Sequence, residues 1–159
     1  MYLSTSFNVI FEQFLLTVDD PKFINSYAED TLALELSRYL YRSIGICGDY
    51  LYKDISIYKK TKIDENNDVI IGDFEENLNE QEISFLARGM TIPYLEFQLQ
   101  KQRHLNQIVY GKDYGIHSQA QHIKEVRETI VEMKKELKQD MIMYSLHQDP
   151  NKLQSSGGG

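Results

Sequence analysis

The chain has 159 residues, 42% of them hydrophobic, and a formal net charge of −7. This length suits one domain, and a domain of this size buries roughly 70% of its unfolded surface, so stability requires neither a disulfide nor a metal. The single cysteine, Cys47, excludes an internal disulfide. No basic segment precedes the first apolar residues, and no run reaches the ~18 apolar residues of a membrane span. We therefore expect no signal peptide, no membrane association and synthesis in the cytoplasm.

The negative charge is concentrated in one segment. Residues 64–82 contain eight Asp and Glu and no Lys or Arg, so that segment carries −8 and the rest of the chain +1. A protein that grips nucleic-acid phosphates needs clustered Lys and Arg, which this distribution does not favour. Two interpretations stay open: a solvated, partly flexible linker, or a surface that repels DNA or meets a basic partner.

The first two elements are predicted to be helices. In residues 6–16, apolar side chains recur at i, i+3, i+4, i+7 and i+8, and Ser6 or Thr5 can cap the start. DDP at 19–21 predicts a turn. A longer helix is predicted over about 23–47, with the apolar stripe Leu32, Leu36, Tyr39, Leu40 and Ile44.

Residues 55–74 change from helical to alternating periodicity. The sequence DENND (64–68) is typical of a turn and VII (69–71) of a strand, so we predict a β-hairpin or extended arm within an insert that spans 55–78. A two-stranded hairpin alone is only marginally stable in water. We therefore expect it to lean on helices or on a neighbouring subunit.

The second half predicts two more helices. Asn79 with Glu82 forms a capping-box pattern, and Pro93 predicts a kink or a break in the helix that follows. Ser118 with Gln121 is a second capping-box pair at the start of the last helix. The apolar seam of that helix covers only about two heptads, which favours packing within a bundle over a long coiled coil. Its members are Ile123, Val126, Ile130, Met133 and Leu137.

These elements predict a mainly α protein: a small bundle of about four helices with a β-hairpin or extended arm near 55–74. Residues 1–148 are expected to form one domain. The composition of 149–159, DPNKLQSSGGG, is typical of a flexible C-terminal tail.

The residues reveal no catalytic, cofactor or metal motif. Metal-binding histidines on one helix face lie three or four positions apart, whereas His117 and His122 are five apart. Cys47 lies on an apolar stripe, which favours a buried structural thiol. We therefore expect no enzyme activity and no catalytic, cofactor-binding or metal-binding residues. A small helical enzyme or regulator stays open as an alternative, and it would require a pocket lined by His104, His122 and carboxylates.

Two further residue groups are open to more than one interpretation. The tyrosines of the first half suit either a subunit interface or the intramolecular core: Tyr39, Tyr41, Tyr50, Tyr52 and Tyr58. A basic patch lies just before the acidic run, at Lys53, Lys59, Lys60 and Lys62. It suits contact with phosphates or an acidic neighbour, or the protection of an edge strand against aggregation.

The order of several pieces resembles the head–tail connector, or neck, proteins of tailed bacteriophages, over roughly residues 30–145. The pieces are YLYRSIGICGDYLYKDIS (39–56), a Phe-Leu-Glu pattern that runs into Ile-x-x-Leu-Ala-x-x-Met (74–90), a Lys-Asp-Tyr turn (112–114), SQAQHIKE (118–125) and a Tyr-Ser pair (144–145). None of these pieces is specific by itself. The resemblance lies in their order.

The resemblance implies a structural virion protein that forms a ring, probably twelve-fold, below the portal protein. Such a ring joins the DNA-filled capsid to the tail and extends the DNA channel. The implied partners are further copies of the chain, the portal protein and a downstream neck or tail-completion protein, while DNA passes through without sequence-specific binding. The implied location is the virion neck, after synthesis in the bacterial host cytoplasm. A tail completion or terminator protein stays open as an alternative.

Candidate partner-binding residues come from the basic patch, the acidic run and the tail: Lys59, Lys60, Lys62, Asp73, Glu75, Glu76, Lys152, Leu153 and Gln154. A heterologous ring needs two complementary faces per subunit, and the acidic and basic segments can supply them. An acidic face towards the lumen would let DNA slide past. The tail is expected to become ordered on the portal.

Overall fold

A computed structural model describes residues 4–64, 67–109 and 116–149. Within these ranges the elements are α1 (Phe7–Val18), α2 (Pro21–Asn25), α3 (Glu29–Gly48), β1 (Tyr58–Asp64), β2 (Asn67–Phe74), α4 (Glu80–Val109) and α5 (Ile116–Gln148). The predicted fold class, a small helical bundle with a β-hairpin, is confirmed. None of the helices in these ranges combines the length and apolar composition needed to cross a bilayer. The predicted tail lies outside the described residues beyond Asp149.

Helix α1 begins where the sequence predicts. The Ser6 hydroxyl accepts a hydrogen bond from the Asn8 amide at 3.3 Å, which satisfies one of the free donors of the first turn. The predicted stripe faces the core, with Phe7, Ile10, Phe11 and Phe14 all buried. The helix ends at Asp19, whose φ of 45° lies in the left-handed region that aspartate tolerates better than most residues.

The predicted second helix over 23–47 is wrong in its first part, because two helices occupy that region. Asp20 caps the short helix α2, and its carboxylate accepts from the Lys22 and Phe23 amides at 3.1 Å each. Pro21 occupies the first helical position, where its missing N–H has no consequence. The Ser26 hydroxyl closes α2 with a 2.7 Å hydrogen bond to the Phe23 carbonyl. Asp followed by Pro thus starts a helix here and does not form only a turn.

An aromatic cluster holds α2 against α3 and α4. The Phe23 ring lies 6.2 Å from that of Tyr39 and 5.2 Å from that of Tyr94, and the Phe14 ring lies 5.8 Å from Tyr94. The Tyr94 hydroxyl donates to the Asp20 carboxylate at 2.6 Å. This bond, together with the amides at the start of α2, lowers the pKa of Asp20. One side chain therefore both caps α2 and ties it to α4.

The tyrosines of the first half belong to the intramolecular core. Tyr39 is 4% exposed, and the other four are half-buried and pack against the core: Tyr41, Tyr50, Tyr52 and Tyr58. Of the two interpretations that the sequence left open, the structure supports the intramolecular one for these residues.

Helices α3 and α4 cross closely at Gly89. The Ser43 hydroxyl donates to the Leu86 carbonyl at 2.6 Å, and the Cys47 thiol lies 3.6 Å from the Phe85 carbonyl. A Cβ added to Gly89 would lie 2.1 Å from the Ser43 hydroxyl oxygen, so only glycine permits this approach. Cys47 is fully buried, as predicted, and burial raises the pKa of its thiol to about 12.

Of the kink or break predicted at Pro93, the break is absent, because α4 is one helix of 30 residues that contains Pro93. Proline removes one backbone donor from the helix, but Pro93 is buried. The ring of the next residue, Tyr94, packs against Phe14 of α1 and Tyr39 of α3. The tertiary contacts on this part of α4 therefore outweigh the local preference for a break.

The predicted start of the last helix at Ser118 is also wrong. Helix α5 begins two residues earlier at Ile116, which continues the seven-residue spacing of Ile123 and Ile130. The Gln121 side chain donates to the Glu125 carboxylate at 3.0 Å, and the side chain of Ser118 lies outside the described residues. In the predicted seam, Ile130 and Leu137 are buried and the other three residues are half-buried.

The bundle has two different ends. At the base end, the starts of α1 and α4 meet the ends of α3 and α5, and the Ser145 hydroxyl donates to the Tyr50 carbonyl at 2.8 Å. At the distal end, α4 and α5 continue as a two-helix hairpin. Within 100–104 and 120–129, no residue is buried. The core therefore lies towards the base end, and the distal hairpin extends beyond it.

The close crossing of α3 and α4 predicts that Gly89→Ala lowers the free energy of unfolding by about 2 kcal/mol, because overpacking outweighs the better helix propensity of alanine. Gly45→Ala is the matched control in α3, since nothing lies within 4 Å of its added Cβ. That control should raise stability by up to about 1 kcal/mol. Urea unfolding measures both, and equal effects of the two substitutions would contradict the prediction.

The bond between Tyr94 and Asp20 predicts a pH-dependent effect of Tyr94→Phe. The substitution should raise the pKa of Asp20 towards the ordinary ~3.9, as measured by NMR titration of its carboxyl group. Because the pKa of Asp20 is lowered in the folded protein, the stability it contributes is present above the unfolded pKa and is lost as pH falls. The stability gap between wild type and Tyr94→Phe should therefore shrink from about pH 5 to about pH 3. A gap independent of pH would be inconsistent with this assignment.

Candidate interaction surfaces

The titratable side chains do not form a recognisable reaction centre in the part of the chain that is described. Among those residues, no group of three or more His, Cys, Asp and Glu could hold a metal ion. His104, His122 and His147 are all exposed. The side chain of His117 lies outside the described residues.

The β-hairpin is held to the helices at its base. Strands β1 and β2 are antiparallel, with Tyr58 opposite Phe74. The Phe74 amide donates to the Thr5 carbonyl at 2.8 Å, and its ring lies 5.0 Å from that of Phe7. A Cβ on Gly72 would lie 2.8 Å from the Phe7 ring, so the strand and α1 are in close contact. The expected hairpin is present and leans on helices of its own chain.

The basic and acidic candidate residues lie side by side on this hairpin. Lys59 stands opposite Asp73 in the strand register, and its ammonium lies 3.9 Å from the Glu75 carboxylate. The Lys60 ammonium lies 4.8 Å from the centre of the Tyr41 ring. The two charge types therefore form one mixed surface here.

The remaining candidate partner-binding residues are Glu76, Lys62 and the three in the tail. Glu76 is exposed, and its carboxylate lies 3.9 Å from the Lys53 ammonium. Lys62 belongs to β1, but its side chain is outside the described residues. The tail candidates Lys152, Leu153 and Gln154 lie wholly outside the described residues.

The described residues of the acidic run 64–82 are part of the folded domain and not a linker. It contains β2, and it continues into α4. Phe74, Leu78 and Glu82 within it are 1%, 4% and 0% exposed. Glu75, Glu76 and Glu80 are its exposed carboxylates after β2.

Glu82 is the centre of a buried polar group, the base cluster, formed with Lys53, Asn79 and Tyr144. Its carboxylate accepts from the Lys53 ammonium at 3.1 Å, the Asn79 amide at 2.9 Å and the Tyr144 hydroxyl at 3.2 Å. The Glu82 amide in turn donates to the Asn79 side-chain oxygen at 3.0 Å, which completes the predicted capping box. Burial of a charged group is tolerated only when it is paired and hydrogen-bonded, as here.

Two members of the base cluster, Lys53 and Tyr144, have shifted pKa values. Burial lowers the pKa of Lys53, but the hydrogen bond and negative charge of Glu82 outweigh it, so the net pKa is raised. Burial raises the pKa of Tyr144 to about 12. Both groups therefore keep their protons over the physiological range, Lys53 as a cation and Tyr144 as a donor.

Sequence reasoning found only part of the base cluster. Asn79 and Glu82 were identified because a capping box is a local pattern. Lys53 and Tyr144 were missed because they lie 29 and 62 residues from Glu82 in the chain.

A groove of about 500 Å³ lies beside the base cluster, between the start of α4 and the end of α5. The rings of Phe85 and Tyr144, 5.5 Å apart, form part of its lining. Met143 adds a side chain that is 56% exposed. An ion pair between Arg88 and Asp140, at 2.8 Å, crosses the groove. The base end thus offers a mixed apolar and charged surface.

Comparisons with protein-family models, with curated proteins and with solved structures found no match to this chain. The resemblance to phage connector proteins therefore stays a prediction.

The base cluster predicts that Lys53→Met lowers the free energy of unfolding by about 2 to 3 kcal/mol, because it leaves the Glu82 carboxylate buried without a cation. The double variant Lys53→Met/Glu82→Gln should recover part of this loss, since the buried group is then neutral. Lys59→Met is the matched control: Lys59 is 78% exposed and should cost about 0.5 kcal/mol or less. The prediction fails if urea unfolding gives Lys53→Met and Lys59→Met the same stability.

Proposed function

We propose that this chain is a structural virion protein, a head–tail connector subunit of a tailed bacteriophage. Copies of it form a ring below the portal protein, join the DNA-filled capsid to the tail and extend the DNA channel. The ring is proposed to be twelve-fold and to lie in the virion neck. Its partners are the portal protein and a downstream neck or tail-completion protein.

The observation that carries the proposal is that three of the resembling motifs are in contact at the base end. Lys53 belongs to the first motif, Glu82 to the second and Tyr144 to the last, and these residues meet in the base cluster. Ser145 of the last motif also accepts from the Tyr52 amide of the first at 3.1 Å. Because the motifs are distant in sequence but joined in space, their order reflects one three-dimensional unit. This contact supports the proposal, because motifs that fold together are better candidates for a shared role than unconnected helix patterns.

The shape of the domain also suits an assembly subunit. Two long helices extend beyond the core, and a hairpin stands on the base end, so much of the chain is available to contact neighbours. A heterologous ring needs two different surfaces on each subunit, which such extensions supply. The exposed Glu75, Glu76 and Glu80 are compatible with DNA that passes without being bound, because like charges repel.

Deletion of the gene from the phage that encodes this chain tests the proposal. Cells infected by the deletion phage should accumulate DNA-filled heads and separate tails, and cryo-EM of wild-type particles should show a ring of this chain between portal and tail. A tail terminator would instead give tails of abnormal length on normal heads. Infectious particles that lack the chain would refute both roles.

A further inference from the structure

Helix α5 carries two rows of opposite charge on its exposed side. At 3.6 residues per turn, the acidic row and the basic row run along the helix about a third of a turn apart. The acidic row is Glu125, Glu128, Glu132 and Glu136, and the basic row is Lys124, Arg127, Lys134, Lys135 and Lys138. All nine side chains are exposed. Each row therefore presents one sign of charge over roughly 16 Å or more, at 1.5 Å per residue.

The rows are poorly explained by contacts within the chain. Two ion pairs join them to neighbours, Lys124 to Glu128 at 3.9 Å and Lys134 to Glu96 of α4 at 3.3 Å. Glu125 also accepts from the Gln121 amide, and the Lys138 ammonium lies 5.2 Å from the centre of the Tyr50 ring. In the described part of the chain, no ion pair involves Glu132, Glu136 or Lys135.

The spacing within the rows is itself unfavourable. Glu128, Glu132 and Glu136 succeed one another at i, i+4, and so do Lys134 and Lys138. Like charges at this spacing repel and weaken a helix, whereas opposite charges would strengthen it. The segregation of charge therefore points to a partner outside the chain.

We propose that α5 is an interface between copies of this chain, in which the acidic row of one copy packs against the basic row of the next. The inference rests on the proposed ring, since it names a surface through which the ring closes. Val131, 65% exposed among the basic residues, supplies apolar surface within the contact. Because each copy uses one row on each side, the contact is heterologous and repeats from copy to copy.

A second copy fits the two rows better than other partners do. A basic protein would be attracted by the acidic row and repelled by the basic row beside it. DNA would be attracted by the basic row and repelled by the acidic row. A second copy carries both rows over the same stretch of helix. When the two α5 helices lie parallel, acidic and basic side chains of the two copies face each other at equal heights.

The test compares two reversed forms of the full chain by sedimentation velocity. The acid-reversed variant carries Glu128→Lys, Glu132→Lys and Glu136→Lys, and the base-reversed variant carries Arg127→Glu, Lys135→Glu and Lys138→Glu. Wild type should self-associate at low salt, and its association should weaken at least tenfold when salt rises from about 50 mM to about 500 mM. Each variant alone should be monomeric, and an equimolar mixture of the two should associate again.

Two controls test whether a change in net charge or a loss of folding causes the weaker association. Glu12→Lys/Glu29→Lys/Asp49→Lys changes the net charge as much as the acid-reversed variant, at exposed positions outside α5, and should associate like wild type. Circular dichroism checks folding. If a reversed variant does not fold, the neutral variant Glu128→Gln/Glu132→Gln/Glu136→Gln replaces it and should also weaken association.

Two outcomes overturn the inference: a wild-type chain that stays monomeric at low salt, or row variants that associate as wild type does. The second outcome leaves the connector role intact, since the ring would then close through another surface. Conversely, the chain could prove absent from the virion neck while its self-association still depends on the two rows. That result would overturn the connector role alone.

Discussion

The structure depends on the burial of one carboxylate. Glu82 has no exposed surface, so its charge must be balanced by the donors of Lys53, Asn79 and Tyr144. These donors come from the link after α3, the start of α4 and the end of α5, and no single segment can satisfy the carboxylate. A buried pair of this kind need not add net stability, but it strongly disfavours arrangements in which one partner is missing. The base end is therefore fixed as one unit.

The position of the β-hairpin follows from that unit. The segment before β1 contains Lys53 and the buried Ile55, while the segment after β2 is held by the Leu78 amide, which donates to the Thr5 hydroxyl at 2.8 Å. Both strands thus leave a rigid base. A two-stranded hairpin, marginal alone, can then keep a defined direction without a third full strand.

The parts that sequence reasoning predicted correctly are those encoded by local patterns. The Ser6 cap, the Asn79 and Glu82 capping box and the buried thiol of Cys47 each depend on residues a few positions apart. The errors arose where one pattern suits two structures: Asp20–Pro21 suits a turn or a helix start, and Ser118 suits a cap or a first turn. Lys53 and Tyr144 were beyond prediction because folding alone brings them to Glu82.

Helix α5 is buried on one side near the base and carries exposed like charges further from it. Near the base, Leu137, Met141 and Tyr144 are buried and anchor the helix to the core. Further from the base, Glu128, Glu132 and Glu136 repel one another, at roughly 0.2 to 0.5 kcal/mol for each like-charged pair at i, i+4. A helix selected only for its own stability would alternate these charges. That α5 instead separates these charges is the observation on which the proposed interface between copies rests.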